Sequence, residues 1–392
     1  MKISIRQDLY WSFSYFLIII GFGTFMRLTH AVPDLFSYNY RYVLHTHSHI
    51  AILGWIYTTL TALLSYSFIP LEKAKQHRRI FYLTQISLLG MLFSFPFQGY
   101  GAISISFSVL FLLFSYYYSY FFLKNSNTQE HKQLISYRFV RMGIFYLILS
   151  SVGIWMIPVA IATTGKDSNL YQASIFFFLD FQYNGWVLTT LMGLFLKKNH
   201  TDRITSPWIN KIFYGFQIGV FGAIAVSYIS IFDSIFLHLI ATITSLIWML
   251  SIGAIIYFYI QKYPFKNVLS NGFLFLFITK VCMMFFASIP YFKEIIFYNN
   301  DFIMSYLHFN FLGVVNFGLL YLLKENNLLN LSRISILVYI AGFLTTEFLI
   351  AYKGICLWLG WAFFENYFLL LSLASGIFLI CVSEWLFRIN RN

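Results

Sequence analysis

Three histidines lie close together at the start of an apolar segment, in the stretch His45-Thr-His47-Ser-His49. A neutral imidazole is a good ligand for haem iron, and it also binds copper or zinc. Residues four apart share one face of a helix, so His45 and His49 should point together and His47 elsewhere. His308, on a later apolar segment, is the fourth candidate. We predict that these four residues bind a haem, with His45, His49 and His308 as candidate metal ligands. The alternative is that each histidine only hydrogen-bonds between helices.

The end of this histidine segment recurs twice along the chain. His49, Asp180 and His308 lie 131 and 128 residues apart, and a glycine follows each of them five residues later. A fixed period of this kind defines a structural unit. We therefore predict a single integral membrane domain made of three repeats, at about 1–123, 124–260 and 261–392. Each repeat would contain four helices and present one polar residue from its second helix.

The composition is that of a polytopic membrane protein. The chain is 59% hydrophobic and 10% charged, with a mean hydropathy of +0.71, whereas soluble domains are about 25% charged. Helices are expected because barrel strands would alternate apolar and polar residues. The apolar segments predict an all-α protein with twelve transmembrane helices, at 10–27, 48–70, 79–97, 102–123, 139–163, 171–197, 209–230, 233–260, 268–290, 301–322, 334–352 and 360–387.

The distribution of lysine and arginine predicts the orientation. Twenty of these residues fall on the side of the N-terminus and five on the other, and Lys280 inside a span completes the 26. By the positive-inside rule both termini are expected in the cytoplasm, in a bacterial inner membrane. The net charge of +12 then reflects topology and anionic lipid, and no nucleic-acid partner is predicted. This topology places the four candidate histidines in the outer half of the bilayer.

Ionisable and polar residues inside the spans are expensive and usually functional. We assign four of them to a second shell or a proton path, with local pairing or snorkelling as the alternative: Asp180, Asn310, Lys280 and Glu347. Arg41 and Arg27 flank the outer edge of the histidine cluster. Their guanidinium groups are expected to pair with haem propionates, since arginine binds carboxylates well.

At this point the sequence resembles a known superfamily: the large subunit of haem-copper oxidases (cytochrome c oxidase subunit I) and of nitric oxide reductases. The stretch Arg41-Tyr-Val-Leu-His45-Thr46 is similar to the second-helix segment of cbb3-type oxidases and nitric oxide reductases, whose histidine binds the low-spin haem. The stretch His47 to Trp55 resembles the tenth-helix His-x-His motif of that group, although it lies on helix 2 here. Tyr306-Leu-His308-Phe-Asn310 resembles the same motif with asparagine in place of the second histidine.

The departures from this superfamily limit what the resemblance implies. Its copper or non-haem-iron centre uses a histidine on helix 6 and a histidine pair on helix 7, whereas this chain has Asp180 and no histidine there. The resemblance therefore implies one haem, expected to be b-type, and no copper at the usual site. It also extends to NnrS-type membrane proteins of nitric oxide metabolism.

Three functions follow as hypotheses. The first is electron transfer, or binding of a diatomic gas such as O2 or NO, at an outer-leaflet haem, as in a divergent oxidoreductase. The second is transport of metal ions or protons, in which the histidines would bind the ion at the outer entrance of its pathway. The third is a non-catalytic scaffold that kept the oxidase architecture. Expected partners are the lipid bilayer and other respiratory membrane subunits or a cytochrome.

Overall fold

The computed structural model describes residues 3–33, 36–126, 128–200, 208–263, 267–297 and 299–389, and these are almost entirely helical. Within these ranges, eleven helices are long and apolar enough to cross a membrane, which confirms a multi-pass helical membrane protein. They are α1 Arg6–Ala31, α2 Tyr40–Phe68, α3 Leu71–Gln98 with a 3-10 first turn, α4 Ala102–Ser126, α6 Ile135–Thr163, α8 Ile209–Ile229, α9 Ile235–Lys262, α10 Val268–Ala287, α12 Asn300–Glu325, α13 Arg333–Leu359 and α14 Tyr367–Phe387. Two short helices are α5 Gln129–Lys132 and α11 Pro290–Phe297.

The sixth predicted span forms a helix but differs from the other eleven in composition. It runs over 169–198, which we call α7, and consists of Asn169–Asp180, Phe181–Val187 and Leu188–Lys198. Asp180, Gln182 and Asn184 lie buried in its middle. These polar side chains reduce its hydropathy, so length and composition alone do not mark it as membrane-spanning.

Local capping decides where several helices begin and end. The side chain of Asn39 accepts a hydrogen bond from the backbone N–H of Tyr42, so α2 begins at Tyr40 rather than at the predicted residue 48. The three histidines therefore lie inside the helix. Later in the chain, α13 ends at Leu359, because the next residue, Gly360, has a left-handed φ of +70°. The following helix, α14, begins only at Tyr367.

Three helices widen into π-helical segments at corresponding places. These segments are Ile50–Tyr57, Phe181–Val187 and Phe309–Val315. Each one starts directly after a residue of the sequence repeat, namely His49, Asp180 or His308. Short π-helical segments inside α-helices occur often at functional sites. The structure thus shows the same local distortion at the three positions.

The glycines of two π-helical segments allow a neighbouring tyrosine to approach closely. A Cβ atom on Gly54 would lie 2.9 Å from Cγ of Tyr15, and one on Gly185 would lie 2.7 Å from Cβ of Tyr146. Both tyrosines come from the helix that opens the corresponding predicted repeat. Tyr15 and Tyr146 lie 131 residues apart, as do Gly54 and Gly185.

By internal contacts the chain forms two compact units. Unit 1 comprises residues 1–128 and 323–392, and unit 2 comprises residues 129–322. In unit 1, α1 packs against α2 and α14, and Trp55 stacks on Phe16 with ring centroids 4.4 Å apart. In unit 2, α8 packs against α9, and Trp248 meets Phe216 edge to face at 5.7 Å. Such close aromatic packing stabilises helix contacts in lipid, where apolar burial alone gives little preference.

Candidate functional site

His47 lies on the face of α2 that packs against α1. Its Nδ1 atom is 2.8 Å from the backbone carbonyl oxygen of Ile19, and its ring passes close to Gly23, where a Cβ atom would lie 3.2 Å from Cε1. A carbonyl oxygen only accepts hydrogen bonds, so Nδ1 carries the proton and Nε2 carries the lone pair. Histidines that ligate metals usually have this second hydrogen bond, because it fixes the tautomer and the ring orientation.

His45 and His49 share the other face, as helical spacing predicts. Nε2 of His49 is 2.9 Å from the hydroxyl of Tyr100, and its ring stacks on Phe95 with centroids 4.7 Å apart. The ring of His45 lies 4.6 Å from that of Tyr100. The three histidines of α2 therefore do not converge on one point. Over the ranges that the structure describes, no group of three or more His, Cys, Asp or Glu side chains is placed to hold a metal ion.

In unit 2, His308 and Asn310 lie where α12 passes into its π-helical segment. Nδ1 of His308 donates to the backbone carbonyl of Met304 at 2.8 Å, so His308 is the same tautomer as His47, and its side chain is half-buried. Asn310 is 1% exposed, and its Oδ1 atom has no hydrogen-bond partner in the described part of the chain. A buried acceptor without a partner is costly unless a ligand or water serves it.

A buried polar chain joins α7 to α10 in unit 2. The ammonium group of Lys280, which is fully buried, donates to Oδ1 of Asn184, and Nδ2 of Asn184 donates to Oδ1 of Asp180 at 2.8 Å. The ammonium group also lies 4.3 Å from the ring centroid of Trp248, within cation–π range. Lys280 is therefore paired locally and does not snorkel towards a membrane surface.

Glu347 and Arg27 belong to a separate polar cluster in unit 1. The guanidinium of Arg27 donates to the hydroxyl of Ser375 and interacts electrostatically with Glu347. Arg27 thus lies in the last turns of α1 and pairs within unit 1. Arg41, in the first turn of α2, is exposed.

His77 lies between the predicted spans 48–70 and 79–97, but in the structure it is part of a helix. His77 lies in α3, is 5% exposed, and its Nε2 atom is 2.7 Å from Oδ2 of Asp8 on α1. The neighbouring charged residues Lys75, Arg78 and Arg79 are typical of an exposed loop, so the sequence pattern does not indicate that His77 is buried. Asp8 is the acidic residue in the first turn of α1, but no signal in the sequence links residues 69 positions apart.

An ion pair outside the spans links the α8–α9 connection to α11. Nζ of Lys293 is 2.9 Å from Oδ2 of Asp233, and this hydrogen bond and charge lower the pKa of the Asp233 carboxyl group below its usual value. Nδ1 of the nearby His238 donates to the backbone carbonyl of Ser288 at 2.6 Å. Its Nε2 faces Asp233 at 3.8 Å, so both ring nitrogens of His238 are directed at protein groups.

A comparison of the chain with models of known protein families gives no match, and a comparison with curated protein sequences gives none either. The function is therefore argued from the residues and contacts described above.

Proposed function

We propose that the chain is a bacterial inner-membrane haem protein of the haem-copper oxidase-like type, with twelve spans and both termini in the cytoplasm. It would hold one b-type haem through a histidine of unit 1 (His47, His45 or His49) or through His308 of unit 2. It would use this haem for electron transfer or for binding a diatomic gas such as O2 or NO. Electrons would come from a respiratory membrane subunit or a cytochrome.

The tautomers of His47 and His308 carry this proposal. Each donates Nδ1–H to a backbone carbonyl at 2.8 Å. Nε2 therefore carries the lone pair, and it points away from that carbonyl. A histidine in this tautomer would be able to bind haem iron through Nε2. Nε2 of His49 lies 2.9 Å from the hydroxyl of Tyr100.

The Oδ1 atom of Asn310, two residues from His308, is fully buried and has no hydrogen-bond partner among the described residues. Ionised haem propionates only accept hydrogen bonds, so an ordered water is the partner that suits this atom. Bound haem would supply an iron that accepts one electron and, with an open position, a gas molecule. The protein side chains would bind it, orient it and limit access of water.

Two structural regularities support three four-helix repeats and twelve spans. The π-helical segments start after His49, Asp180 and His308, and the Tyr15–Gly54 and Tyr146–Gly185 contacts recur with the same separation. Helix 169–198 would then be the sixth span, since it is equivalent to α2 and α12. Its polar centre would be tolerated because Asn184 is hydrogen-bonded to both Lys280 and Asp180.

The experiment is a reduced-minus-oxidised visible spectrum of the purified chain with a pyridine extract to count haem. We expect one b-type haem per chain, and loss or a marked change of its spectrum in His308→Ala or His47→Ala. His238→Ala is the matched control, because it removes a buried histidine with the same Nδ1–carbonyl bond but with Nε2 facing Asp233. An unchanged spectrum in both ligand variants would refute the assignment of these ligands. A haem-free protein from haem-replete cells would refute the function and favour ion transport, for which the buried Asp180–Asn184–Lys280 chain is the structural basis.

A further inference from the structure

Two helices of unit 2 carry basic side chains at the end where each helix begins. Arg138 and Arg141 lie in the first two turns of α6, and Lys211 lies in the first turn of α8. Arg141 and Lys211 are exposed, and Arg138 is half-buried. The positive-inside rule assigns this end of both helices to the cytoplasm.

Aromatic and polar contacts hold α6 beside α8. The ring of Phe139 lies 5.1 Å from that of Phe213 and 5.0 Å from that of Phe216. Further along both helices, the hydroxyl of Tyr146 donates to Oε1 of Gln217 at 2.8 Å. Higher residue numbers on α6 thus pair with higher residue numbers on α8. The two helices therefore run in the same direction, and their basic ends are adjacent.

The side chain of Arg138 crosses from α6 to α8. Its guanidinium carbon lies 4.2 Å from the ring centroid of Phe213 and 5.6 Å from that of Tyr214. Its Nη1 atom donates to Oδ1 of Asn210. These contacts orient the guanidinium group between the two helices, and none of them removes its charge.

Lys211 is also oriented by an aromatic ring. Its Nζ atom lies 4.2 Å from the ring centroid of Trp208, which is 57% exposed. In the described part of the chain, no carboxylate forms a salt bridge with Arg138, Arg141 or Lys211. The three basic groups therefore leave a net positive charge at this place, which is complementary to an anion.

An exposed apolar stripe continues from each basic end into the membrane. Six side chains, between 40% and 58% exposed, form the two stripes: Phe145, Ile148 and Val152 on α6, and Tyr214, Ile218 and Phe221 on α8. Steps of three and four residues place each stripe on one helix face, in line with Arg141 on α6 and with Lys211 on α8. A molecule that fits this surface has an anionic head and hydrocarbon chains.

We propose that the basic ends of α6 and α8 bind one anionic phospholipid. Its phosphate group accepts hydrogen bonds from Arg138, Arg141 and Lys211, and its acyl chains lie along the two apolar stripes. Arginine binds phosphate oxygens through two parallel N–H groups, and basic pockets between transmembrane helices suit acidic headgroups. A zwitterionic lipid fits less well, because its headgroup carries a cation that the three basic groups repel. The site contains none of the four candidate haem ligands, so it is independent of the proposed haem.

The headgroup preference is tested by native mass spectrometry of the full chain in detergent with equimolar phosphatidylglycerol and phosphatidylcholine. We expect one tightly bound phosphatidylglycerol, preferred over phosphatidylcholine by about tenfold or more. The combined substitutions Arg138→Gln, Arg141→Gln and Lys211→Gln should abolish this preference. A chain that binds the two lipids equally would overturn the proposal.

A second triple variant is the matched control for the loss of charge. Lys75→Gln, Arg78→Gln and Arg79→Gln remove three exposed charges of α3, on the side of the membrane that the sequence also assigns to the cytoplasm. This variant should keep the preference for phosphatidylglycerol. If both triple variants lose it to the same extent, the preference comes from net charge alone and the proposed site is wrong.

Photocrosslinking in bilayers locates the acyl chains and does not depend on the basic variants being folded. Benzoylphenylalanine is placed at position 218, in the α8 stripe, or at position 243 of α9, where Ile243 is 54% exposed. We expect position 218 to label phosphatidylglycerol above its molar share of the bilayer and position 243 to label it in proportion. Equal labelling at the two positions would contradict the placement of the lipid between α6 and α8.

Discussion

Replacing Asn184 with leucine would break the buried chain between Lys280 and Asp180 at its centre. The two side chains have the same number of heavy atoms and the same branching at Cγ, so the substitution removes hydrogen bonds without opening a cavity. Asn184 bonds at both ends to charged groups, and such hydrogen bonds contribute about 1.5–3 kcal/mol each. Removing one partner of a buried ionic network costs about 3–5 kcal/mol. We expect Asn184→Leu to lower the free energy of unfolding by about 3–5 kcal/mol.

The assay is reversible unfolding in mixed micelles with increasing denaturing detergent, followed by circular dichroism. Gln182→Leu is the matched control, because Gln182 is buried two residues away but accepts a neutral hydrogen bond from Ser150 at 3.1 Å. It should cost about 1 kcal/mol. Adding Lys280→Met to Asn184→Leu should restore part of the loss, because it removes the unpaired ammonium group, with a coupling energy of about 1–3 kcal/mol. If Asn184→Leu costs no more than Gln182→Leu, the buried charge pairing described above is wrong.

Two further predictions concern the π-helical segments and the surface ion pair. Gly54→Ala and Gly185→Ala each bring a Cβ atom within 3 Å of a tyrosine ring or its Cβ, and each should lower the free energy of unfolding by about 1–3 kcal/mol; Gly253→Ala, with nothing within 4 Å, should leave thermal unfolding unchanged or slightly improved. Because Lys293 lowers the pKa of Asp233, the stabilisation from this pair is present above the ordinary carboxyl pKa and is lost as pH falls through the lowered value. The unfolding temperatures of the unaltered protein and Asp233→Asn should therefore differ at pH 7 and converge well below about pH 4. A difference that persists at the lowest pH would refute the ion pair as its source.

The amino-acid sequence by itself determined the membrane character and most of the helices. Apolar segments of helix length have few alternatives in lipid, where every backbone group must be bonded within its own helix. Helical periodicity also placed His45 and His49 on one face and His47 on another, which their contacts with Tyr100 and Ile19 confirm. These features depend on neighbours within a few residues. The predicted start of α2 at residue 48 lies eight residues after the observed one, because the helix begins at the cap formed by Asn39 and its first turns are polar.

The tertiary structure decided which polar residues meet. Lys280 and Asn184 lie 96 residues apart, and His77 and Asp8 lie 69 apart, so no local pattern brings them together. The charges around His77 are typical of a loop, yet its ring is buried in contact with Asp8 of α1. The same spacing rule that located Asp180 in the repeat could not reveal its link to Lys280 through Asn184. Hydropathy and periodicity specify which residues enter the membrane, whereas pairing inside it depends on how separate helices pack, because a buried charge is stable only beside the partner that this packing supplies.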